Sequence, residues 1–500
     1  MQNPKHPPVW SRRLLATSVL LLAACSSVPL VPGGPAGMTA ASTATSTAAN
    51  TAASPTASPT ASPTDAAGPA PDSARAEAPP AAQLCPSGLP SQSRCLAGTD
   101  SAGAHYLIAL PPAWSGVLVL HAHGGPELGA PRAERTASDL QRWAVVLRAG
   151  HAWAGSTYRQ GGVAVRAAAE DTERLRRIFV QHIAQPRRTV LHGQSWGASV
   201  AATGADLFGR AAGSSGTARP PYDAVLLTSG VLGGGSRSYD FRLDLRVVYQ
   251  HLCGNHPRAD EPAYPLWMGL PPGSPLTHAA LAARVDACLG LRQPAALRTA
   301  SQQHKLQTLL AVIRIPESSL LGHLNWATWH FQDIVQQRTG GANPFGNVGA
   351  VYSGSGDDAA LNQAVLRYPA DRRAVATLAA DTDPTGRISV PVLALHAVFD
   401  PVAFVELESS WRDTMASAGS SSHLVQAFTS DASHSYLTDA AYLSALPALL
   451  DWVDGSPAPT PASLASRCAA LPPELASGCR FLPSYQPAPM ASRVAPRQRP

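Results

Sequence analysis

Apolar residues follow two alternating patterns from residue 84 onward. Short β-prone runs occupy residues 105–110, 117–121, 151–156, 189–192, 223–228, 390–396 and 424–428. Between them lie stretches with helical spacing. In 138–148 the residues Leu140, Trp143, Ala144 and Leu147 share one face. In 163–185 Leu175, Ile178, Phe179 and His182 do the same, up to the break at Pro186. Residues 443–453 read as a closing helix. Apolar runs of this length predict buried strands. Their alternation with amphipathic helices predicts an α/β fold, a mostly parallel sheet flanked by helices. Such a sheet gathers its functional side chains at the carboxyl ends of its strands.

One interval breaks the alternation. From Thr228 to Val390 the chain is too long for a connection and must carry structure of its own. It holds Tyr239, Tyr249, Tyr264, Trp267, Trp326, Trp329 and Phe331, and helices are predicted at 278–288, 301–312, 326–338 and 358–367. We read 233–388 as a large, mainly helical cap inserted between two parts of the core, 84–232 and 389–455. A Pro-rich arm and loose tail, 456–500, follow. Asp357 and Asp358 lack a full calcium ligand set and read as a helix start. No metal or other cofactor is expected.

The N-terminal region follows different rules. Lys5, Arg12 and Arg13 precede an apolar run from Leu14 to Ala24. The run is shorter than the ~20 residues that span a bilayer, and 1–24 reads as a secretory signal peptide. Its end, Leu22-Ala23-Ala24-Cys25, resembles the lipobox of bacterial lipoproteins. That resemblance implies lipidation of Cys25 and a membrane anchor through it. With Ser26 rather than aspartate next, it implies the outer membrane in a Gram-negative cell, the domain facing the periplasm or the surface. Residues 25–83 are mostly Ala, Ser, Thr and Pro, with a repeated Ser-Pro-Thr unit at 54–64. Nothing there builds a core, so a disordered tether is expected, spanning roughly 40 Å at ~5–6 Å × √n.

Seven cysteines divide accordingly. Apart from Cys25 they fall as near neighbours, and export permits disulfides. Pairing Cys85 with Cys95, Cys253 with Cys288 and Cys468 with Cys479 is the economical choice among the connectivities open to them. The formal net charge of +5 is almost all arginine, Lys5 and Lys305 being the only lysines. No basic stripe interleaved with aromatics appears, so nucleic acid is not an expected partner. The oligomeric state has no sequence signal.

The chemistry gathers after the run 189–192. Gly193-Gln194-Ser195-Trp196-Gly197 follows that strand and opens a small-residue helix. A strand, sharp turn and helix of this form strain Ser195 and push its hydroxyl out above the sheet, while the helix turns its positive end toward it. Serine is a poor nucleophile alone; it needs a base in hydrogen-bond reach and an acid to orient that base. The elbow and the order Ser, acid, His resemble the α/β-hydrolase superfamily over roughly residues 106–453. In that family the acid follows the strand after the cap. The matching segment here is Leu395-His396-Ala397-Val398-Phe399-Asp400, with Ala397 where the family has glycine. The resemblance therefore assigns Asp400 as acid, and His434, in the loop 430–436, as base. It also implies an oxyanion hole of two N–H groups, one from Trp196 and one from His123-Gly124-Gly125-Pro126, where Gly125 is favoured and Gly124 is its neighbour. Tyr158 and Arg159, and Trp326 and Trp329 of the cap, are candidates for the substrate pocket.

These residues together imply a serine hydrolase cleaving a small or polymeric carboxylic ester through an acyl-enzyme. The runner-up is a peptidase like the prolyl-oligopeptidase branch, against which stands the absence of blade-length repeats. A non-catalytic tethered binding module on the same fold is the alternative of another class.

Overall fold

The protein is described by a computed structural model over residues 76–209 and 220–500. The signal peptide, Cys25 and most of the expected tether lie outside the described residues.

Nine strands form one sheet: β1 (Ala81–Gln83), β2 (Arg94–Thr99), β3 (His105–Leu110), β4 (Val117–Ala122), β5 (Ala152–Ser156), β6 (Arg188–Gln194), β7 (Ala224–Thr228), β8 (Val392–Ala397) and β9 (Leu424–Thr429). Their order is β1-β2-β3-β5-β4-β6-β7-β8-β9. The first three strands and the β3–β5 pair are antiparallel, and β5 through β9 run parallel. Every residue of β4, β5, β7 and β8 is buried, as the continuous apolar runs require. The pleat then sorts side chains to two layers. Leu118 and Leu120 join Ile178, Phe179 and Val200 on one face. Val117 and Val119 join Trp143, Leu446 and Leu449 on the other. Helices Val165–His182 and Trp196–Phe208 supply the first layer, and Glu134–Arg142 and Asp439–Val453 the second.

The interval between β7 and β8 is helical. Its main elements are Asp240–Cys253, His278–Leu289, Ala300–Ile313, Glu317–Asn325, Asp358–Ala364 and Arg372–Thr382. The helix expected at 326–338 is the continuation of Glu317–Asn325, wound as π turns at Trp326–His330 and Ile334–Arg338. Asp357 caps the helix that follows it by accepting from the Ala360 N–H at 2.9 Å. The three disulfides join Cys85 to Cys95, Cys253 to Cys288 and Cys468 to Cys479. Among the described residues no helix is long and apolar enough to cross a membrane.

Three expectations need correction. Order begins before residue 84, because β1 pairs with β2 and the Glu77 carboxylate is held by the Ser101 N–H at 2.8 Å and lies 3.4 Å from the Arg174 guanidinium. A low-complexity composition hides such anchoring, which depends on one carboxylate and a distant arginine. The helix expected over 138–148 is two, Glu134–Arg142 and Val145–Arg148, separated at Trp143 and Ala144. The C-terminal tail is not loose. Phe481 bridges to Thr429 at the sheet edge, Arg493 pairs with Glu406, and Arg497 lies buried against Asp244 of the cap.

Candidate active site

The site grows from the end of β6. Ser195 sits between that strand and helix Trp196–Phe208 at φ 57° and ψ −122°. A non-glycine residue in such a conformation costs of order 1–3 kcal/mol, sustained only where the surroundings over-determine it. Here they do. The Ser195 N–H donates to the Thr228 carbonyl at 2.9 Å, and the Ser195 carbonyl accepts from Val231 at 3.0 Å. The flanking glycines are demanded by space: a Cβ on Gly193 would lie 2.3 Å from the Gly197 carbonyl, and one on Gly197 2.1 Å from the Ala122 carbonyl.

Asp400 follows β8 and His434 follows β9, and His434 bridges Asp400 to Ser195 above the sheet. The His434 Nδ1–H donates to Asp400, 2.8 Å from Oδ2 and 3.0 Å from Oδ1. That bond fixes the tautomer. Nε2 is left with its lone pair and accepts from the Ser195 hydroxyl at 2.8 Å. The Asp400 side chain is fully buried, and His434 is 17% exposed. Asp400 also accepts from the N–H groups of Val402 at 2.8 Å and Ala403 at 2.9 Å, so it shapes its own turn as well as facing the imidazole.

His396 has a part here that the sequence reading did not assign to it. Its ring is buried beneath Asp400, with Nδ1 3.0 Å from Glu408 and Nε2 2.9 Å from the Ala403 carbonyl. Burial opposes a charge there, but Glu408 and Asp400 together raise its pKa above the ordinary histidine value. The acid loop is thus held from below by a ring tied to both Glu408 and the Ala403 carbonyl. The signal was present in Leu395-His396, a polar residue inside a wholly buried strand.

The loop after β4 supplies the remaining geometry. A Cβ on Gly124 would lie 3.1 Å from the Ser195 Cβ and 2.4 Å from Gln194 Oε1, so a side chain there would crowd the elbow. The Gly124 carbonyl accepts from His123 Nδ1 at 2.6 Å and from Arg135 Nη2 at 3.0 Å. N–H and C=O of a planar trans peptide point in opposite directions. Holding that carbonyl therefore turns the Gly125 N–H away from Arg135. Trp196 opens a helix, so its N–H has no intrahelical acceptor. His123 is kept neutral chiefly by burial, which lowers its pKa.

The pocket candidates separate. Tyr158 lies behind the loop: its ring stacks on His123 at 4.1 Å and its hydroxyl donates to the His123 carbonyl at 3.1 Å. A small cavity on that side is bounded by Gly124, Arg135, Tyr158 and Trp196, without any of Ser195, Asp400 or His434. Arg159 is engaged by Glu170 and Asp171. Trp329 stacks on His278 at 3.6 Å and stays within the cap. Trp326 faces Arg242 and His323, and His323 Nε2 donates to the Pro401 carbonyl at 3.2 Å, next to Asp400. Arg242 and His323 were not singled out from the sequence, where nothing distinguishes them from surface residues.

No known family description matches this chain, and no curated protein does. Among solved structures it is similar to feruloyl esterase B from Aspergillus oryzae, with 12% identity over 77% of this chain and 87% of that one and a TM-score of 0.40. It is also similar to the rice cell wall degrading esterase LipA from Xanthomonas oryzae, with 14% identity over 73% and 89% and a TM-score of 0.33. A third likeness is to puromycin hydrolase, with 14% identity over 76% of this chain and a TM-score of 0.33; the match spans 40% of that protein's length. The strand order, with β5 and β4 exchanged and a serine elbow at the end of β6, is the α/β-hydrolase fold.

Proposed function

We propose that the protein is a serine hydrolase that cleaves carboxylic esters. The observation that carries this reading is the continuous hydrogen-bond relay Ser195–His434–Asp400, with 2.8 Å at each step. In the reaction Ser195 Oγ forms a bond to the ester carbonyl carbon while its proton passes to His434 Nε2. Asp400 stabilises the resulting imidazolium. The N–H groups of Trp196 and Gly125 receive the oxyanion, where each such donor is worth roughly 3–4 kcal/mol. Collapse breaks the bond to the alkoxy oxygen, which takes the proton from His434. Water then attacks the acyl-enzyme by the same relay, releasing the acid and restoring Ser195.

Replacing Ser195 by Ala is expected to abolish both para-nitrophenyl ester hydrolysis and labelling by a fluorophosphonate probe. Undiminished turnover in that variant overturns the reading. Profiling esters against matched peptide amides separates an esterase from a peptidase. The lipobox-like segment ending at Cys25 supports a lipid-anchored, exported form of this enzyme. Metabolic labelling with a fatty acid, lost in Cys25→Ala, tests that part separately.

A further inference from the structure

Helix Asp240–Cys253 of the cap buries four charged side chains in close succession: Asp240, Arg242, Asp244 and Arg246. Charges removed from water require partners. The two carboxylates have theirs in the C-terminal arm, Asp244 with Arg497 at 2.6 Å and Asp240 with Arg499. Residues two apart on a helix do not face each other, so neither acid serves Arg242. Arg246, one turn further on, reaches the Gly269 carbonyl at 3.4 Å and interacts with Tyr264.

Arg246 keeps two buried nitrogens, Nε and Nη1, without partners, and Arg242 is the guanidinium of the two that lies among the side chains next to the triad. Among the described residues no carboxylate acts on it. Its Nη1 donates to the Ser238 carbonyl at 3.1 Å, and its Nε is buried without a partner. Its surroundings are aromatic, with the guanidinium carbon 4.5 Å from the Tyr239 ring centroid, 4.7 Å from Phe241 and 4.6 Å from Trp326. Burial lowers its pKa to about 10, which leaves it charged at neutral pH. Ring faces soften the burial of a cation but do not replace an anion.

This box touches the chain on both sides of the triad, next to Ser195 and next to Asp400. On one side Tyr239 meets the ring of Trp196, the residue after Ser195, at 5.9 Å. On the other, Phe241 packs on His323 at 4.9 Å and Phe404 at 4.5 Å, and His323 holds the carbonyl of Pro401, the residue after Asp400. His323 itself feels the charge of Arg242, and burial keeps it neutral. His330, stacked at 6.2 Å from Trp326, is neutral for the same reason and has a buried Nδ1 without a partner.

We propose that Arg242 is the counter-charge for a carboxylate on the substrate, so that the preferred ester carries a free acid group remote from the bond cleaved. Guanidinium is suited to this role, presenting a rigid fork of N–H donors to a planar carboxylate. The inference rests on the hydrolase reading above, and its test separates the two. Two matched pairs of esters place the acid on either side of the scissile bond. One pair is the mono-para-nitrophenyl ester of adipic acid against para-nitrophenyl hexanoate. The other is para-acetoxybenzoate against para-acetoxybenzamide. The wild-type protein is expected to favour the acid member of at least one pair by about tenfold or more in kcat/KM, mainly through KM. Arg242→Gln is expected to remove that preference while keeping hydrolysis of the neutral member and labelling by a neutral fluorophosphonate. Arg242→Lys is expected to retain part of it. Equal kcat/KM within both pairs for the wild-type protein overturns the proposal and leaves the hydrolase reading standing. So does an equal fall for acid and neutral esters in both variants, which marks Arg242 as structural. Absence of any hydrolysis or labelling in the wild-type protein overturns both readings.

Discussion

Arg135 Nη2 donates to the Gly124 carbonyl at 3.0 Å, and Glu127 and Asp139 hold the same guanidinium in place. The peptide whose N–H end the proposed mechanism assigns to the oxyanion is thereby oriented from behind. Arg135→Ala is expected to lower kcat by about 10–10²-fold with little change in KM, because the loss falls on the transition state. Steady-state kinetics on a para-nitrophenyl ester read this directly. A change confined to KM would assign Arg135 to binding instead.

Asp400 fixes which nitrogen of His434 carries the proton. In Asp400→Asn the amide can donate to Nδ1, which moves the proton to Nε2 and leaves Ser195 without a base. A loss of about 10³–10⁴-fold in kcat is expected at unchanged fold, as in other triads of this geometry. Circular dichroism alongside the kinetics distinguishes a lost base from a disordered loop. The loop is at risk because Asp400 also accepts the N–H groups of Val402 and Ala403.

Two buried imidazoles set a lower pH boundary for stability. Burial pushes His192, 2.9 Å from His121, down to about 3. Burial first, then the charges of Arg242 and His278, pushes His330 down to about 3. Unfolded histidine titrates near ~6.5, so the unfolded chain takes up protons that the folded one refuses. The associated stability is complete above about pH 6.5 and declines toward pH 3, by up to about 1.4 kcal/mol per pH unit for each ring. Urea midpoints measured between about pH 7 and pH 4 are expected to fall, and less steeply in His192→Gln. A flat profile would contradict the assignment of neutral rings.

Arg497 has a side chain only 3% exposed, set against Asp240 and Asp244 at 5% each. Removing one partner of such a cluster leaves the others charged in a poor solvent. Arg497→Met is expected to cost about 3–5 kcal/mol, visible as a lower Tm, and Asp244→Asn in the same chain is expected to restore part of it. Additive losses in the double variant would mean that the two side chains do not act on each other.

The parts that local pattern controls were readable in the chain. β4, β7 and β8 are buried along their whole length and mostly apolar because both faces are covered, and the elbow is a contiguous motif. Ser195 was readable from the elbow itself; Asp400 and His434 came from the resemblance that the elbow carries, and the structure sets both within one hydrogen-bond chain with it. What long-range pairing controls was not. Helix Asp240–Cys253 looks like a solvated, charged segment, yet its first two turns are buried, because arginines more than two hundred residues away neutralise its acids. β2 has one fully buried side chain and so little apolar signal. The tail reads as loose from its prolines, which say nothing of where Arg493 and Arg497 dock. Arg242 and His396 acquire meaning only from what surrounds them in space.

Arg497 binds Asp244 across 253 residues of chain, and closing so long a loop carries an entropic cost that grows only slowly with length. The same contact makes the last residues of the chain part of the cap's charge balance: a chain cut short before Arg497 would leave Asp244 buried without its cation.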